Sequence, residues 1–380
     1  MSSSKYLGFG LMRLPLLDQN DPTSQDIPQV CRMVDRFLEA GFTYFDTAFA
    51  YPGSEEAIRK ALVERHNRAS YTLTNKMPVF LIHDRETIAA TFEESRKRCG
   101  VEYFDYYLLH DISRKTWPTV LEYDCIEAAK KLKADGKVWE IGFSFHDRAE
   151  MLDEILTGHP EFDFVQLMVN YADWDSAVVE SGKCYKVACR HGKPVVIMEP
   201  LRGGTLANLP EYAAKALREK GIYASQASLA LRFAAGLRNV RVVLSGMSSM
   251  EQMEQNIETF SKLQPLNEKE QSALQEVVDV LKAQYPLPAV TQESFAGICP
   301  LDIAVPEYFE VYNTEQYEFN AGTGANMDYF STLLKFRGKP SDCDGCGKCS
   351  GICSQDIPEL LREKILPIQL QAEEMEKMFT

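Results

Sequence analysis

Short apolar runs alternate with longer stretches that are apolar at every third or fourth position, and the alternation holds from Tyr6 to Leu281. Short runs apolar on both faces are what a parallel sheet buries, and the amphipathic stretches between them suit its crossover helices. The pattern predicts strands at Tyr6–Gly10, Thr43–Asp46, Tyr71–Lys76, Phe104–His110, Val138–Ser144, Phe164–Asn170, Pro194–Glu199 and Val240–Ser245. It predicts helices at Ile27–Ala40, Glu55–Arg65, Arg85–Cys99, Val120–Ala134 and Ala177–His191, several of them closing on a glycine (Gly41, Gly100, Gly136, Gly192) as a left-handed cap prefers.

Eight strand–helix units in roughly 260 residues fit a closed (β/α)8 TIM barrel over residues 1–284 better than an open doubly wound sheet. In that fold chemistry sits at the C-terminal ends of the strands, where Asp46, Lys76, His110, Ser144, Asn170 and Glu199 fall. A Rossmann domain is disfavoured, because Gly8-Phe9-Gly10-Leu11-Met12-Arg13 ends on the wrong residue and no helix follows directly. After the eighth strand, Gly246-Met247-Ser248-Ser249 leads into a helix expected from Met250 to Phe260. Ser248 with Glu251, or Ser249 with Gln252, makes a capping box there, and such a helix start can hold a phosphate.

The chain changes character after Leu281. Pro286 and Pro288 read as a linker, and residues 290–380 read as a small, mainly α-helical ferredoxin-like domain. The run Cys343-x2-Cys346-x2-Cys349-x3-Cys353 has the spacing of a bacterial [4Fe–4S] site, whereas zinc sites tend to come as two separated pairs. In two-cluster ferredoxins the cysteine before a proline ligates the other cluster. Here Ser354 follows Cys353 but Pro300 follows Cys299, so the expectation is one cluster held by Cys299, Cys343, Cys346 and Cys349. A self-contained site with Cys353 as fourth ligand stays open. Such a cluster either exchanges electrons with the barrel site or a redox partner protein, or only staples the small domain.

Composition narrows the function. Of 380 residues, 45% are hydrophobic and 25% charged, as in soluble globular proteins. The net charge of -14 speaks against nucleic acid or an anionic membrane surface as partner. No apolar run approaches the roughly 18 residues of a membrane span, and the Met-Ser-Ser-Ser-Lys start carries none, so a cytoplasmic protein is expected. Cys31, Cys99, Cys125, Cys184 and Cys189 are scattered and read as reduced packing residues, and Glu373 to Glu376 as a solvated helix face.

The second strand runs into the stretch TYFDTAFAYPGS, Thr43 to Ser54. A buried carboxylate at Asp46 needs a cation. On closure of the barrel the second, third and fourth strands are neighbours, so Asp46, Tyr51, Lys76 and His110 would meet at one mouth. Tyrosine, with a pKa near 10, is a poor acid at neutral pH, and a nearby ammonium is expected to lower that value. Asp46 would hold Lys76 charged, and His110 would orient a carbonyl oxygen. The set suits carbonyl reduction with hydride from a cofactor.

The motifs LGFGLMRLP, FDTAFAYPGSEE, TNK, FDYYLLH, GKVWEIGFS and VQLMVNY, in this order on the first six strands, are similar to those of the aldo-keto reductase family. The resemblance spans Tyr6 to Leu281. It implies an NAD(P)H-dependent reductase of aldehydes or ketones, with Asp46, Tyr51, Lys76 and His110 as catalytic residues and Tyr51 as proton donor. It also implies a dinucleotide site along Gly10, Leu11, Met12, Asp46, Ser144, Gln166, Leu201, Gly246, Ser248 and Asn256. Phe145 stands where the family often has Asn, Met198 where an aromatic ring often stacks on the nicotinamide, and Gly246 and Gln252 where basic residues often grip a 2′-phosphate. NAD, NADP and a flavin therefore all stay open. GFSFH, MEPLRGG and the late cysteines resemble the branch of the family with a C-terminal ferredoxin-like segment. The substrate pocket is expected from loops after Asn170, with Tyr171 and Trp174, and from the C-terminal domain, Trp174 reading equally well as a domain-interface residue. Two other readings remain: an iron–sulfur electron-transfer protein whose barrel binds a flavin or nicotinamide, and a non-catalytic redox-sensing scaffold.

Overall fold

The computed structural model describes residues 6–315 and 325–379. Its centre is a closed barrel of eight strands in sequence order, each parallel to the next: β1 (Leu7–Gly10), β2 (Tyr44–Asp46), β3 (Thr72–Met77), β4 (Phe104–Ile112), β5 (Val138–Phe145), β6 (Phe164–Met168), β7 (Val195–Met198) and β8 (Val240–Gly246). The eighth strand pairs back on the first, with Gly10 opposite both Asp46 and Gly246.

The period of two along each strand builds the interior. Tyr44, Leu108, Phe164, Val196, Val242 and Leu244 pack together as a plug inside the barrel. Space there is tight enough to exclude side chains at two positions. A Cβ at Gly8 would lie 2.6 Å from Val242, and one at Gly142 would lie 2.7 Å from the Phe164 carbonyl oxygen. Two residues further along the same inward faces stand Asp46, His110, Gln166 and Met198, so the alternation that fills the barrel also delivers its polar rim.

The helices largely follow the periodicity, with local departures. The stretch expected as one helix from Val120 is two, Trp117–Glu122 and Cys125–Ala134, broken at Asp124 with φ 54°. The helix expected from Ala177 begins only at Ser181. Ahead of it, the Ser176 hydroxyl accepts from the amides of Val178 and Val179, and Glu310 accepts from Ala177, which holds the backbone out of helix. Residues 54–63 form a short helix that passes into a π turn. The sixth and seventh strands stop at Met168 and Met198, which puts Asn170 and Glu199 in loops.

The C-terminal part is helical among the described residues, at Val305–Glu315, Ala325–Phe336 and from Ile357 to Phe379. Its apolar residues Phe295, Ile303, Tyr308, Phe309, Phe330, Ile357, Leu361 and Ile365 share one core with Met168, Val178 and Val179 of the barrel. Full burial of such side chains is worth about 1.5–3 kcal/mol each, so this seam fixes the segment against the barrel. The proline-marked connection is clamped as well: the Leu287 amide donates to Asn313 at 2.9 Å, and Asn313 donates back to the Leu287 carbonyl at 3.1 Å. Glu373 pairs with Lys339 at 2.7 Å, so it is not a free solvated acid. No helix among the described residues is long and apolar enough to cross a membrane.

Candidate active site

At the C-terminal mouth of the barrel lies a cleft of about 970 Å³. Asp46 ends β2, Lys76 lies in β3 and His110 in β4, while Tyr51 hangs over them from the loop after β2. That loop turns at Gly53, where φ is +67° and the Gln25 side chain presses so close that a Cβ would meet it at 2.2 Å. Gln25 donates to the Pro52 carbonyl at 2.7 Å and fixes the turn.

Lys76 is fully buried. Its ammonium forms an ion pair with Asp46, donates to the Thr47 carbonyl at 2.9 Å and donates to the Tyr51 hydroxyl at 3.3 Å. Gln166, from the opposite side of the barrel, donates to the second Asp46 oxygen at 3.2 Å. Behind this row, Asn75 donates to the buried Glu55 at 2.8 Å, and Glu55 opens the helix that follows the Tyr51 loop. The Thr-Asn-Lys sequence thus has a division of labour: Asn75 points outward to anchor the neighbouring helix, and Lys76 points inward.

Burial works against charge on Lys76, but Asp46 and Tyr51 outweigh it and hold the lysine above its ordinary value. Asp46 is itself raised by burial, with Lys76 and Gln166 pulling the other way. The outcome for Tyr51 corrects the sequence expectation. Desolvation raises the phenol, the Lys76 ammonium only partly offsets this, and the net direction is up. Tyr51 is therefore a protonated donor beside a cation, not a phenolate.

His110 sits 5.7 Å from the Tyr51 ring, edge to face, and 5.9 Å from Phe80. The β4–β5 register shifts between Leu109 and Ile112, and Asp111 takes φ 60°, an irregularity that re-aims side chains at a strand end. Burial, then Lys76 and His146, pushes His110 well below the ordinary histidine range, so the ring is neutral. Its Nδ1 has no hydrogen-bond partner.

Gly10, Leu11, Met12, Asp46, Ser144, Gln166, Leu201, Gly246, Ser248 and Asn256 all line this same cleft. Several are committed locally. Ser144 accepts from the Asp111 amide at 2.9 Å, and Asn256 donates to Ser245 at 2.9 Å. The helix after β8 starts at Met250 with Ser249 as cap, accepting from the Gln252 amide at 3.2 Å. Gln252 reaches back to accept from the Ser248 amide at 2.7 Å, and the Ser248 hydroxyl donates to the Arg13 carbonyl at 2.7 Å, so Ser248 itself is not the cap.

The sequence reading placed the substrate wall on Tyr171 and Trp174. Both instead face a separate groove on the barrel flank with Phe233 and Leu266, because the buried Asn170 ties that loop down through Asp173 and the Glu199 carbonyl. The wall near His110 comes from Phe80, Asp111, His146, Met168 and Met198, which the sequence reading missed as wall residues. His146 and Met198 carried a usable signal, since His146 lies two residues beyond Ser144 and Met198 two residues beyond the inward Val196, at the end of β7. Met198 also packs on the core of the C-terminal helices, and the Tyr329 hydroxyl lies 4.0 Å from the Met168 sulfur, so these helices back one side of the cleft.

Cys299, Cys343, Cys346 and Cys349 line one small cavity with Phe295, Ile303, Ile357 and Leu361. Cys353 is not part of that lining, and its thiol donates to the Gln355 carbonyl at 3.3 Å. Burial, then the backbone of its own turn and the neighbouring thiols Cys343, Cys346 and Cys299, act on Cys349, with a net upward shift. Among the described residues no group of three or more His, Cys, Asp or Glu side chains is placed to hold a metal ion, the predicted cluster cysteines included. All ten cysteines are free thiols.

Known proteins bear on this geometry. The model of the aldo/keto reductase family matches residues 6–279, which ends before Cys299. L-galactose dehydrogenase of Arabidopsis thaliana is 26% identical over 300 residues, covering 73% of this chain and 90% of that protein. An aldo-keto reductase of Mycobacterium sp. (strain KMS) is 35% identical over 149 residues, about half its length. Among solved structures, the holo form of aldo-keto reductase AKR11C1 from Bacillus halodurans superposes with a TM-score of 0.57 at 24% identity, over 71% of this chain and 91% of that one. An aldo-keto reductase from Klebsiella pneumoniae in complex with NADPH gives 0.55 at 22%, over 72% and 90%. With its matched region spanning the whole barrel, the chain belongs to the aldo/keto reductase family and is an oxidoreductase of the NAD(P)H-dependent kind.

Proposed function

We propose that this protein reduces an aldehyde or ketone to an alcohol, with Tyr51 as proton donor. The observation that carries the reading is the Lys76 ammonium, fully buried, joined to Asp46 on one side and to the Tyr51 hydroxyl at 3.3 Å on the other. The Klebsiella relative was solved with NADPH, and the cleft of about 970 Å³ at the barrel mouth here supports a dinucleotide. Residues of the loops after β1, β5, β7 and β8, among them Gly10, Leu11, Met12, Ser144, Leu201, Gly246, Ser248 and Asn256, would hold it, with Gln166 at the inner end. When bound, the nicotinamide supplies hydride to the carbonyl carbon.

The chain does the rest. Neutral His110 orients the carbonyl oxygen toward the Tyr51 hydroxyl. As negative charge grows on that oxygen, Tyr51 passes its proton to it. Lys76 then stabilises the phenolate left behind, so its charge acts in the transition state more than in the resting site, where Tyr51 stays protonated. Asp46, steadied by Gln166, keeps Lys76 charged and in place. General acid catalysis of this kind is worth about 10²–10⁴ in rate. The test is anaerobic consumption of NADH or NADPH against a panel of aldehydes and ketones. No turnover with any of them sinks the reading.

The C-terminal helices carry, in this proposal, a ferredoxin-like [4Fe–4S] site with Cys299, Cys343, Cys346 and Cys349 as ligands. What supports it is that these four thiols share one cavity while Cys353 turns away to Gln355. A cluster binds each thiolate to a different iron, so its ligands need not converge on one point as those of a single ion do. Deprotonation of the four would be driven by the metal's charge, against the burial that raises Cys349.

A further inference from the structure

We propose that Tyr44 is a positioning residue for the reaction, acting with Thr74 through a water molecule held beneath Asp46; this rests on the reading of Tyr51 as proton donor. The inward face of β2 carries Tyr44 two residues below Asp46, and that of β3 carries Thr74 two residues below Lys76. Thr74 stands opposite Asp46 in the register of the two strands. The hydroxyls of Tyr44 and Thr74 are both buried, and neither makes a hydrogen bond to a described residue. Leaving such groups unpaired is costly, and the usual remedy in a closed interior is a shared water with about three polar partners.

The third partner is the carboxylate above. Tyr44 has little freedom to turn elsewhere: its ring lies against Gly8, where a Cβ would meet it at 3.0 Å, and stacks on Tyr106 at 5.3 Å. Burial raises the Tyr44 phenol most and Asp46 raises it further, while Thr74 and then Arg241 pull it back, so the hydroxyl lies within the field of Asp46 and close to that of Thr74. The titratable groups around this corner are Lys76 and Tyr51 above, Tyr106 beside the ring, and Arg241 beneath, which is paired with Glu140 and sits over the Tyr106 and Phe164 rings. Asp46 takes one hydrogen bond on each oxygen, from Lys76 and from Gln166. A carboxylate can accept about four, so lone pairs remain for a donor from below. A water held by Tyr44 and Thr74 supplies that donor. It favours the charged form of Asp46 against burial, and Asp46 in turn holds Lys76 at the Tyr51 hydroxyl.

The experiment compares the full chain as wild type, Tyr44→Phe, Thr74→Val and the double variant, following kcat and KM for carbonyl reduction against pH. Tyr44→Phe keeps the ring and its stacking on Tyr106. Each single variant is expected to lower kcat by about tenfold with KM nearly unchanged, and to move the acid limb of the pH profile up by about one unit, because Asp46 loses a hydrogen bond that favours its charge. The double variant should lose no more than either single one, since both hold the same water. Additive losses, or an acid limb that stays in place while kcat falls, overturn the proposal and leave Tyr44 a packing residue. Infrared difference spectra on acidification read the Asp46 carboxyl directly, assigned by its loss in Asp46→Asn. It should protonate at higher pH in Tyr44→Phe than in wild type, and an unchanged titration overturns the proposal too. Absence of carbonyl turnover in wild type instead removes the reading of Tyr51, and the infrared comparison still decides the role of Tyr44.

Discussion

Gln166 of β6 donates to Asp46 of β2 at 3.2 Å, so the carboxylate that anchors Lys76 is braced from across the barrel mouth. The brace leaves neither Asp46 oxygen idle: one faces the ammonium, the other the amide. Removing the cation should therefore hurt stability as well as chemistry. Lys76→Met leaves Asp46 buried and unpaired, and we expect a loss of about 3–5 kcal/mol in urea unfolding. Adding Asp46→Asn should recover part of that loss, since the two residues couple. Additive losses would show that the pair is not an energetic unit.

The acid–base groups set a pH profile. Tyr51 is raised above the ordinary tyrosine value and His110 depressed far below the ordinary histidine value. Reduction rates (kcat/KM) should stay flat through neutral pH and fall only above about pH 10, where a tyrosine begins to lose its proton. For stability the sign follows from His110. Below about pH 6.5 the unfolded chain binds a proton there that the folded chain refuses, so acid costs stability and a rise in pH through that value restores it. A His110→Gln variant should lose that component in pH-dependent thermal unfolding.

Iron content separates the fourth-ligand alternatives. Anaerobically purified Cys299→Ala should lose its cluster absorption and iron, whereas Cys353→Ala should keep both. The reverse pattern would assign the site to Cys353 and leave Cys299 a packing residue beside Pro300.

Gly338 should be intolerant of any side chain. It bridges to Ile303, and a Cβ there would lie 1.9 Å from the Leu301 carbonyl oxygen, a backbone atom that cannot swing aside. Gly338→Ala is expected to cost about 1–3 kcal/mol by overpacking and to appear as early proteolysis of the C-terminal helices, with the barrel still folded. Equal protease resistance in the two proteins would remove this claim.

The barrel was legible in the sequence because it rests on period: apolar runs at regular spacing can be counted without knowing what they touch. Strand ends therefore located Asp46, Lys76 and His110, whereas the outward role of Asn75 beside Lys76 emerged only from its bond to Glu55. What failed depended on contacts far apart in the chain. Trp174 looked like a substrate wall until Asn170 was seen to tie its loop to Asp173 and Glu199. The ammonium beside Tyr51 promised an acidic phenol, yet desolvation is a sum over surrounding atoms that no motif records. Gln166 could be placed at the cleft by resemblance, but its reach to Asp46 appears only once the barrel closes. The cysteine run showed its spacing and Pro300 already favoured Cys299 over Cys353, but that Cys299 lines one cavity with Cys343, Cys346 and Cys349 depends on how the helices pack and could not be read there.

The account turns on one hydroxyl, and Tyr51→Phe removes it while keeping the ring against His110. The measurement is kcat/KM for carbonyl reduction by wild type and Tyr51→Phe, with nicotinamide cofactor affinity measured alongside. We predict a fall of about 10²–10⁴ in kcat/KM with cofactor affinity unchanged. A Tyr51→Phe variant that reduces carbonyls as fast as wild type would contradict the assignment of Tyr51 as proton donor.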